Sequence, residues 1–222
     1  NLLTRVYKSL LNQTNKDFEW LIIDDGSTDG TNMKVFEWQK NSPFKIRYIW
    51  KENGGVHTAR NLAYKEINTE LCLQVDSDDW LLSYTIEKVL KFWEEYGSKQ
   101  YCGIVGLCID PSGNIIGTSL PNKISVPFRY LNSKYKVEGD KFHVFRTEVM
   151  KKIPEYPVFE GENRVPIAWK YSQIPDENEV LIYNIPLCVV EYQSDGISAN
   201  IRKNYFKNPK GMTAGYEMIL KH

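Results

Sequence analysis

The sequence has few of the residues that build metal clusters or disulfide frameworks. Its 222 residues include four cysteines and three histidines, and no two cysteines form a C-x-x-C pair, which argues against a zinc ribbon or a redox motif. Each cysteine lies in an apolar stretch, as expected for reduced core residues of a cytoplasmic protein. They are Cys72, Cys102, Cys108 and Cys188. No apolar run approaches the ~20 residues that a membrane span needs.

An excess of charge of one sign is also lacking. Lysine plus arginine total 28, as do aspartate plus glutamate, so the formal net charge is zero. A nucleic-acid-binding protein usually carries a basic excess that neutralises phosphates, so we expect no nucleic-acid partner. The length and the hydrophobic content of 42% are typical of one globular domain. We therefore expect a single domain over 1–222.

The first hundred residues alternate between strand-like and helix-like patterns. The predicted strands cover 19–24, 46–50 and 71–76, and the predicted helices cover 3–10, 31–39, 57–67 and 86–93. Further strands are predicted at 102–110, 142–146 and 180–185, with a hairpin turn at 110–114. This alternation predicts an α/β fold with a mostly parallel central sheet flanked by helices. Ligands of such sheets bind at the carboxyl ends of the strands.

Two predicted strands end in acidic turns, which we expect along one edge of the sheet. The D-S-D-D turn places Asp76, Asp78 and Asp79 within four residues. Carboxylates this close repel one another unless a cation lies among them, and Mg²⁺ or Mn²⁺ prefers such oxygens together with phosphate oxygens. The alternative is an aspartate that caps the following helix. The other turn, D-D-G-S-T-D-G-T, begins at Asp24 and Asp25; it either hydrogen-bonds a base or ribose, or is a plain loop.

Two further stretches are candidates for binding and catalysis. N-G-G-V-H-T-A-R-N puts Asn53 and Gly54 before a helix and Arg60 in its first turn, which suits a diphosphate or is a tight turn with a surface arginine. F-E-G-E-N contains Glu160 and Glu162, and either carboxylate is a candidate general base unless the stretch is a solvated acidic loop. No P-loop ending and no nucleophile elbow is present.

In order along the chain, these stretches resemble family 2 glycosyltransferases of the bacterial type that builds surface polysaccharides. The likeness runs from about residue 3 to about residue 169. It is carried by S-L-L-N-Q-T-N-K-D-F-E-W-L-I-I-D-D-G-S-T-D-G-T, E-N-G-G-V-H-T-A-R-N-L-A, D-S-D-D-W, G-D-K-F-H-V-F-R-T-E-V and F-E-G-E-N. The tail G-I-S-A-N-I-R-K-N-Y-F-K-N-P is similar to the end of the same subgroup. The resemblance implies a GT-A fold, a nucleotide-diphosphate-sugar donor, a saccharide or lipid-linked acceptor and an inverting reaction. It also implies a nucleotide-binding half at 1–100 and an acceptor-side half with the tail at 101–222.

The resemblance also implies a role for each candidate residue. The nucleotide would be held by Asp24, Asp25, Asn53, Gly54, Arg60 and Asp76. Asp78 would ligate Mn²⁺ or Mg²⁺, with Asp76 as a further candidate ligand, and Glu162 would be the catalytic base, with Glu160 as second choice. The family usually has Glu-Asp at the base, whereas Asn163 follows Glu162 here, where we expect a helix to open toward Trp169.

Three expectations complete the sequence-based hypothesis. Family members begin with a strand before the first helix, so we expect a strand before Asn1 that pairs beside 19–24. The basic, aromatic segment 201–210 suggests peripheral contact with the inner membrane face, or is an ordinary surface tail. The alternative functions are a sugar-nucleotide nucleotidyltransferase and a non-catalytic carbohydrate-binding protein of the same fold.

Overall fold

The structure is a computed structural model that describes residues 2–193 and 200–221, apart from the side chains of Ile201 and Lys203. Its helices are α1 (Leu2–Leu11), α2 (Thr31–Asn41), α3 (Val56–Glu66), α4 (Thr85–Tyr96), α5 (Tyr130–Ser133), α6 (Thr147–Lys152), α7 (Ala168–Tyr171), α8 (Ile201–Lys207) and α9 (Pro209–Lys221). Its strands are β1 (Glu19–Asp25), β2 (Lys45–Lys51), β3 (Leu71–Leu73), β4 (Trp80–Leu81), β5 (Tyr101–Ile109), β6 (Ser125–Pro127), β7 (Lys141–Arg146) and β8 (Glu179–Val189).

The described chain divides into two compact units, each assembled from three segments. The first unit comprises 2–17, 69–149 and 174–193, and the second comprises 18–68, 150–173 and 200–221. The division differs from the expected halves at residue 100, because segments distant in the sequence contribute to the same unit.

The first unit is built on a six-stranded mixed sheet. Its order is β3-β7-β5-β8-β4, and β6 pairs with β8. The central strands are buried on both faces, as Ile104, Val105 and Leu181 show with no measurable exposure. Of its ladders, only β5 with β8 is parallel, whereas β3 with β7, β4 with β8, β5 with β7 and β6 with β8 are antiparallel.

The α/β class is confirmed, but the expectation of a mostly parallel central sheet is wrong for the described residues. A crossover between parallel strands is usually made by a full helix. Between β5 and β7 the only helix is α5, which has four residues, and β7 runs antiparallel to both of its neighbours. The strand–helix alternation of the first hundred residues therefore does not extend to the rest of the chain.

The second unit contains the parallel pair β1 and β2. The intervening helix α2 buries Val35 and Trp38. Trp20 of β1 stacks on Trp38 with ring centroids 5.9 Å apart. Burial of Ile22 and Ile46 completes this small apolar layer. The strand–helix–strand unit predicted from the sequence is therefore present and leads the chain to Asp24 and Asp25.

A buried lysine fixes another part of the second unit. Lys170 is 2% exposed, and its Nζ donates to the carbonyls of Ile153 and Pro154, each at 3.1 Å. The ammonium also lies 4.8 Å from the centroid of the Tyr64 ring, a cation–π contact. Burial lowers the pKa of Lys170 to about 8, against the opposing charge of Glu155.

Most predicted elements are present, with two local differences. The strand predicted at 71–76 ends at Leu73, and the helix expected to open at Asn163 is confined to Ala168–Tyr171. Residues 194–199, which include the first four residues of the tail motif (196–199), lie outside the described residues, as do Asn1 and His222. All four cysteines are free, three of them buried and Cys72 partly exposed. No helix within the described ranges has the length and apolar character that a bilayer span requires.

Candidate active site

Asp24 is buried at the carboxyl end of β1. Asp24 is 5% exposed. Its Oδ1 accepts a hydrogen bond from the Ser27 backbone N–H at 2.7 Å, and its Oδ2 accepts one from the Tyr48 hydroxyl at 2.6 Å. Burial, then the contact with Asp24, raises the pKa of Tyr48, so the phenol stays protonated and donates. These contacts fix the start of the D-D-G turn.

Asp25 joins this turn to the E-N-G-G turn. The parallel register places it opposite Lys51, whose Nζ donates to Oδ1 at 2.5 Å. The backbone N–H groups of Gly54 and Gly55 donate to Oδ1 and Oδ2 at 3.0 and 2.8 Å, while Asn53 Nδ2 donates to the Asp25 carbonyl at 2.7 Å. Burial raises the pKa of Asp25, but the hydrogen bonds from Lys51 and the two glycines outweigh it and hold the pKa below its usual value.

Gly55 brings the F-E-G-E-N loop against the same turn. It has φ +89°, and a Cβ at this position would lie 1.8 Å from the Asn163 carbonyl oxygen, so only glycine fits. Further along the same motif, Asn61 is buried, and its side chain accepts from and donates to the backbone of Tyr156, at 2.8 and 2.9 Å. The stretch between Asn53 and Asn61 therefore contacts the backbone just before F-E-G-E-N and at the last residue of this motif.

Glu162, the predicted base, caps the start of α9. Its Oε1 accepts the Lys210 backbone N–H at 3.0 Å and its Oε2 accepts that of Gly211 at 2.8 Å. A carboxylate at a helix N-terminus is stabilised by the unpaired N–H groups and by the helix dipole. Next to it, the Asn163 N–H donates to Oδ1 of the buried Asn208 at 2.8 Å. Glu160 is exposed, so the two candidate carboxylates have different environments.

The basic residues of the second unit include one that the sequence did not single out. Arg60 is the fifth residue of α3 rather than part of its first turn, and it is partly exposed. Arg164 follows Glu162 by two residues and is also half-buried; its Nη1 is buried and has no hydrogen-bond partner among the described residues. Burial lowers the pKa of Arg164, and the charge of Arg60 lowers it further. A lone arginine outside any motif gives no sequence signal for such an environment.

The D-S-D-D turn belongs to the first unit. Asp76 is exposed and accepts Gln74 Nε2 at 2.6 Å, and Asp78 is partly exposed. Burial, followed by the charges of Asp76 and Asp78, raises the pKa of Asp79 to about 7. The N-cap of α4 is Tyr84, so none of these acids caps the next helix. The capping alternative is therefore wrong for α4, and ligand binding by the turn stays a prediction.

The predicted site residues fall into two groups. Those brought together in the second unit are Asp24, Asp25, Asn53, Gly54, Arg60, Glu160 and Glu162, whereas Asp76 and Asp78 are in the first unit. Their strands, β1 and β3, belong to separate sheets. The expectation that both acidic turns lie along one edge of one sheet is therefore wrong, because β3 pairs with β7 instead of extending the β1–β2 ladder.

Comparison with known proteins assigns the family. The model of glycosyl transferase family 2 matches residues 1–154, which is more than half of the chain and contains both acidic turns. The chain belongs to glycosyl transferase family 2. A chondroitin synthase of Escherichia coli is 35% identical over 114 residues, which cover 51% of this chain and 16% of that protein. The matched part of the chain spans 12–29% of the length of the curated relatives.

Solved structures show the fold. TarS of S. aureus in complex with UDP-GlcNAc superposes with a TM-score of 0.67 at 19% identity, covering 99% of this chain and 67% of that one. A mannosyltransferase from Pyrobaculum calidifontis in complex with GDP-Man and Mn²⁺ gives a TM-score of 0.63 at 16% identity, covering 100% and 61%. The predicted GT-A fold of the family is confirmed.

Proposed function

We propose that this family 2 chain is a single catalytic domain that transfers a sugar from a nucleoside diphosphate donor, most simply a UDP-sugar, to a saccharide or lipid-linked acceptor with inversion. The observation that carries the proposal is the contact network of the second unit. Asp25 binds Gly54 and Gly55, and Gly55 meets Asn163, the neighbour of Glu162. Three motifs distant in the sequence are thereby held together on one framework, as a preorganised site requires.

The residues of this framework suit a single displacement. A carboxylate, Glu162 in this proposal, takes the proton of the acceptor hydroxyl as its oxygen bonds to the anomeric carbon. The bond from that carbon to the diphosphate oxygen breaks, and the configuration inverts. The leaving nucleoside diphosphate gains negative charge, which Arg60 offsets. In this proposal Asp24, Asp25, Asn53 and Gly54 of the second unit bind the nucleotide, and the family resemblance adds Asp76 as a further nucleotide-binding residue.

The D-S-D-D turn suits a divalent cation bound jointly with the donor. The described residues contain no group of three or more acidic, cysteine or histidine side chains that could by itself hold a metal. Mg²⁺ and Mn²⁺ commonly use one or two carboxylates and complete their shell with water and substrate phosphates. Asp78, with Asp76 as a second ligand, would hold the ion, which when bound supplies positive charge to the diphosphate. The Mn²⁺ of the archaeal mannosyltransferase complex supports this choice of metal.

In this proposal the chain acts in the assembly of capsule, exopolysaccharide or lipopolysaccharide at the cytoplasmic face of the inner membrane. This extension rests on the family resemblance and on 201–210, where Phe206 is 87% exposed and Arg202 and Lys207 are exposed. Aromatic and basic side chains together favour an anionic interface. Sedimentation with phosphatidylglycerol vesicles at low salt tests the contact, and a chain that stays in the supernatant refutes it.

The reaction itself is tested by nucleoside diphosphate release. The chain is incubated with UDP- and GDP-sugars, a panel of saccharide acceptors and Mn²⁺, with EDTA as the metal-free control. We expect acceptor-dependent release of UDP that EDTA abolishes. A nucleotidyltransferase would consume or form pyrophosphate instead, and a non-catalytic carbohydrate-binding protein would release neither product.

A further inference from the structure

Arg164 is carried by a backbone segment that is fixed on two sides. On one side the preceding residue, Asn163, packs against Gly55. On the other, a Cβ on Gly211 would lie 2.1 Å from the Arg164 carbonyl oxygen, so the glycine permits α9 to approach this backbone. Glu162 ties the same helix to the segment through Lys210 and Gly211. The position of the Arg164 backbone is therefore set before any ligand binds.

The guanidinium of Arg164 is only partly compensated by protein. Its Nη1 is buried without a hydrogen-bond partner, and within 2–193 and 200–221 no carboxylate forms an ion pair with it. The positive charge of Arg60 acts on it as well. A half-buried charge without a partner costs free energy, so an unsatisfied group of this kind needs a specific explanation, such as a catalytic role or an ion that pairs with it.

We propose that Arg164 is a second diphosphate-holding residue, which acts together with Arg60 on the donor; this inference rests on the proposed function. Two guanidiniums of one unit match an anion with several negative oxygens better than they match a single carboxylate or a neutral sugar. Arginine forms bidentate, charge-assisted hydrogen bonds with phosphate. The chemical class of the ligand is therefore a diphosphate, and a nucleoside without phosphates does not use the contact.

The test compares UDP with uridine on the full chain. Affinity for each is measured at one fixed Mg²⁺ concentration, by calorimetry for UDP and by ligand-observed NMR for uridine. A hydrogen bond to a charged group contributes ~1.5–3 kcal/mol, so Arg164→Gln should weaken UDP about 10- to 100-fold and leave uridine unchanged. Arg202→Gln is the matched control, because Arg202 is an exposed arginine of the same unit, and it should alter neither affinity.

Thermal unfolding adds a readout that a merely structural arginine would not produce. Removal of an unpaired half-buried charge should leave the melting temperature of the ligand-free chain unchanged or higher, while the stabilisation by saturating UDP becomes smaller. If Arg164→Gln does not fold, Arg164→Lys takes its place, with several-fold weaker UDP binding and unchanged uridine binding expected, since lysine lacks the planar fork.

The outcomes separate this inference from the proposed function. UDP affinity equal to that of the unaltered chain, or an equal loss for UDP and uridine, overturns the role of Arg164 while the proposed function stands. If the unaltered chain binds no UDP- or GDP-linked ligand and releases no nucleoside diphosphate, the proposed function fails and the inference fails with it.

Discussion

Replacement of Glu162 by glutamine separates catalysis from helix capping. In the structure both carboxylate oxygens accept backbone N–H groups of α9, from Lys210 and Gly211. A glutamine side chain keeps one acceptor oxygen but presents an NH₂ group to the second N–H. We therefore expect Glu162→Gln to lose about one capping hydrogen bond, and also the favourable interaction of a negative charge with the start of the helix.

The two roles predict effects of different size on different measurements. Loss of a cap costs ~0.5–2 kcal/mol, and each kcal/mol lowers the melting temperature of a domain of this size by ~2–4 °C. Such a change leaves the chain folded at an assay temperature well below the transition. Loss of a general base instead lowers turnover by ~10²–10⁴-fold. The variant should therefore show both a small fall in melting temperature and a large fall in UDP release, with donor binding retained.

Glu160→Gln is the matched control, since Glu160 is the exposed acid of the same loop. It should change neither stability nor turnover appreciably. A variant at Glu162 that melts a few degrees lower but releases UDP at a near-normal rate would assign this residue to capping alone. A large loss of turnover at Glu160 with little at Glu162 would make Glu160 the base. Normal activity of both variants would remove the chemistry from this loop.

Three further predictions concern the metal turn, the buried lysine and the glycine contact. Asp78→Ala should abolish Mn²⁺-assisted UDP binding in calorimetry with an unchanged melting temperature, and undiminished Mn²⁺-dependent binding would contradict the assignment. The pKa of Lys170 is lowered from 10.5 to about 8 in the fold, so the unfolded chain holds this proton more tightly and stability should rise with pH between these values. Measured by urea unfolding, the free energy of unfolding should rise over this pH range by up to ~3 kcal/mol more in the unaltered chain than in Lys170→Met. Parallel pH profiles of the two proteins would exclude this effect of Lys170. Gly55→Ala should destabilise the chain several times as much as Gly161→Ala. Both glycines have positive φ, but a Cβ added at Gly161 has nothing within 4 Å, whereas one added at Gly55 meets Asn163. Equal urea midpoints of the two variants would show that the contact with Asn163 is unimportant.

Local pattern was sufficient wherever an element depends on its own residues. The apolar run before Asp24 and the turn-forming glycines after it predicted β1 and the loop that follows, and the structure has the strand at Glu19–Asp25. Helix α3 likewise begins one residue before the predicted start. These elements follow from periodicity, turn residues and helix-stop signals, which act over a few residues. The same short stretches, taken in order, also indicated the family.

Pairing between distant segments could not be read in this way. The strand at Leu71–Leu73 pairs with Arg146, Phe145 and Val144 of β7, and nothing in its own composition distinguishes that partner from β1. The sheet is mixed because the partner of each strand depends on all the other strands that the folded chain brings near it, and not on the strand's own residues alone.

The sequence by itself determined which chemical groups this protein has: two acidic turns, a glycine turn before a helix, and an acidic loop, in the order typical of the family. Only the tertiary structure decided what those groups touch. In the fold Asp25 accepts hydrogen bonds from Gly54 and Gly55, and Glu162 caps a helix through a hydrogen bond from a residue 48 positions later. Arg164 is half-buried and has no carboxylate partner among the described residues. Contacts of this kind depend on close packing and on the need to pair buried polar groups, and those requirements arise only when distant parts of the chain meet.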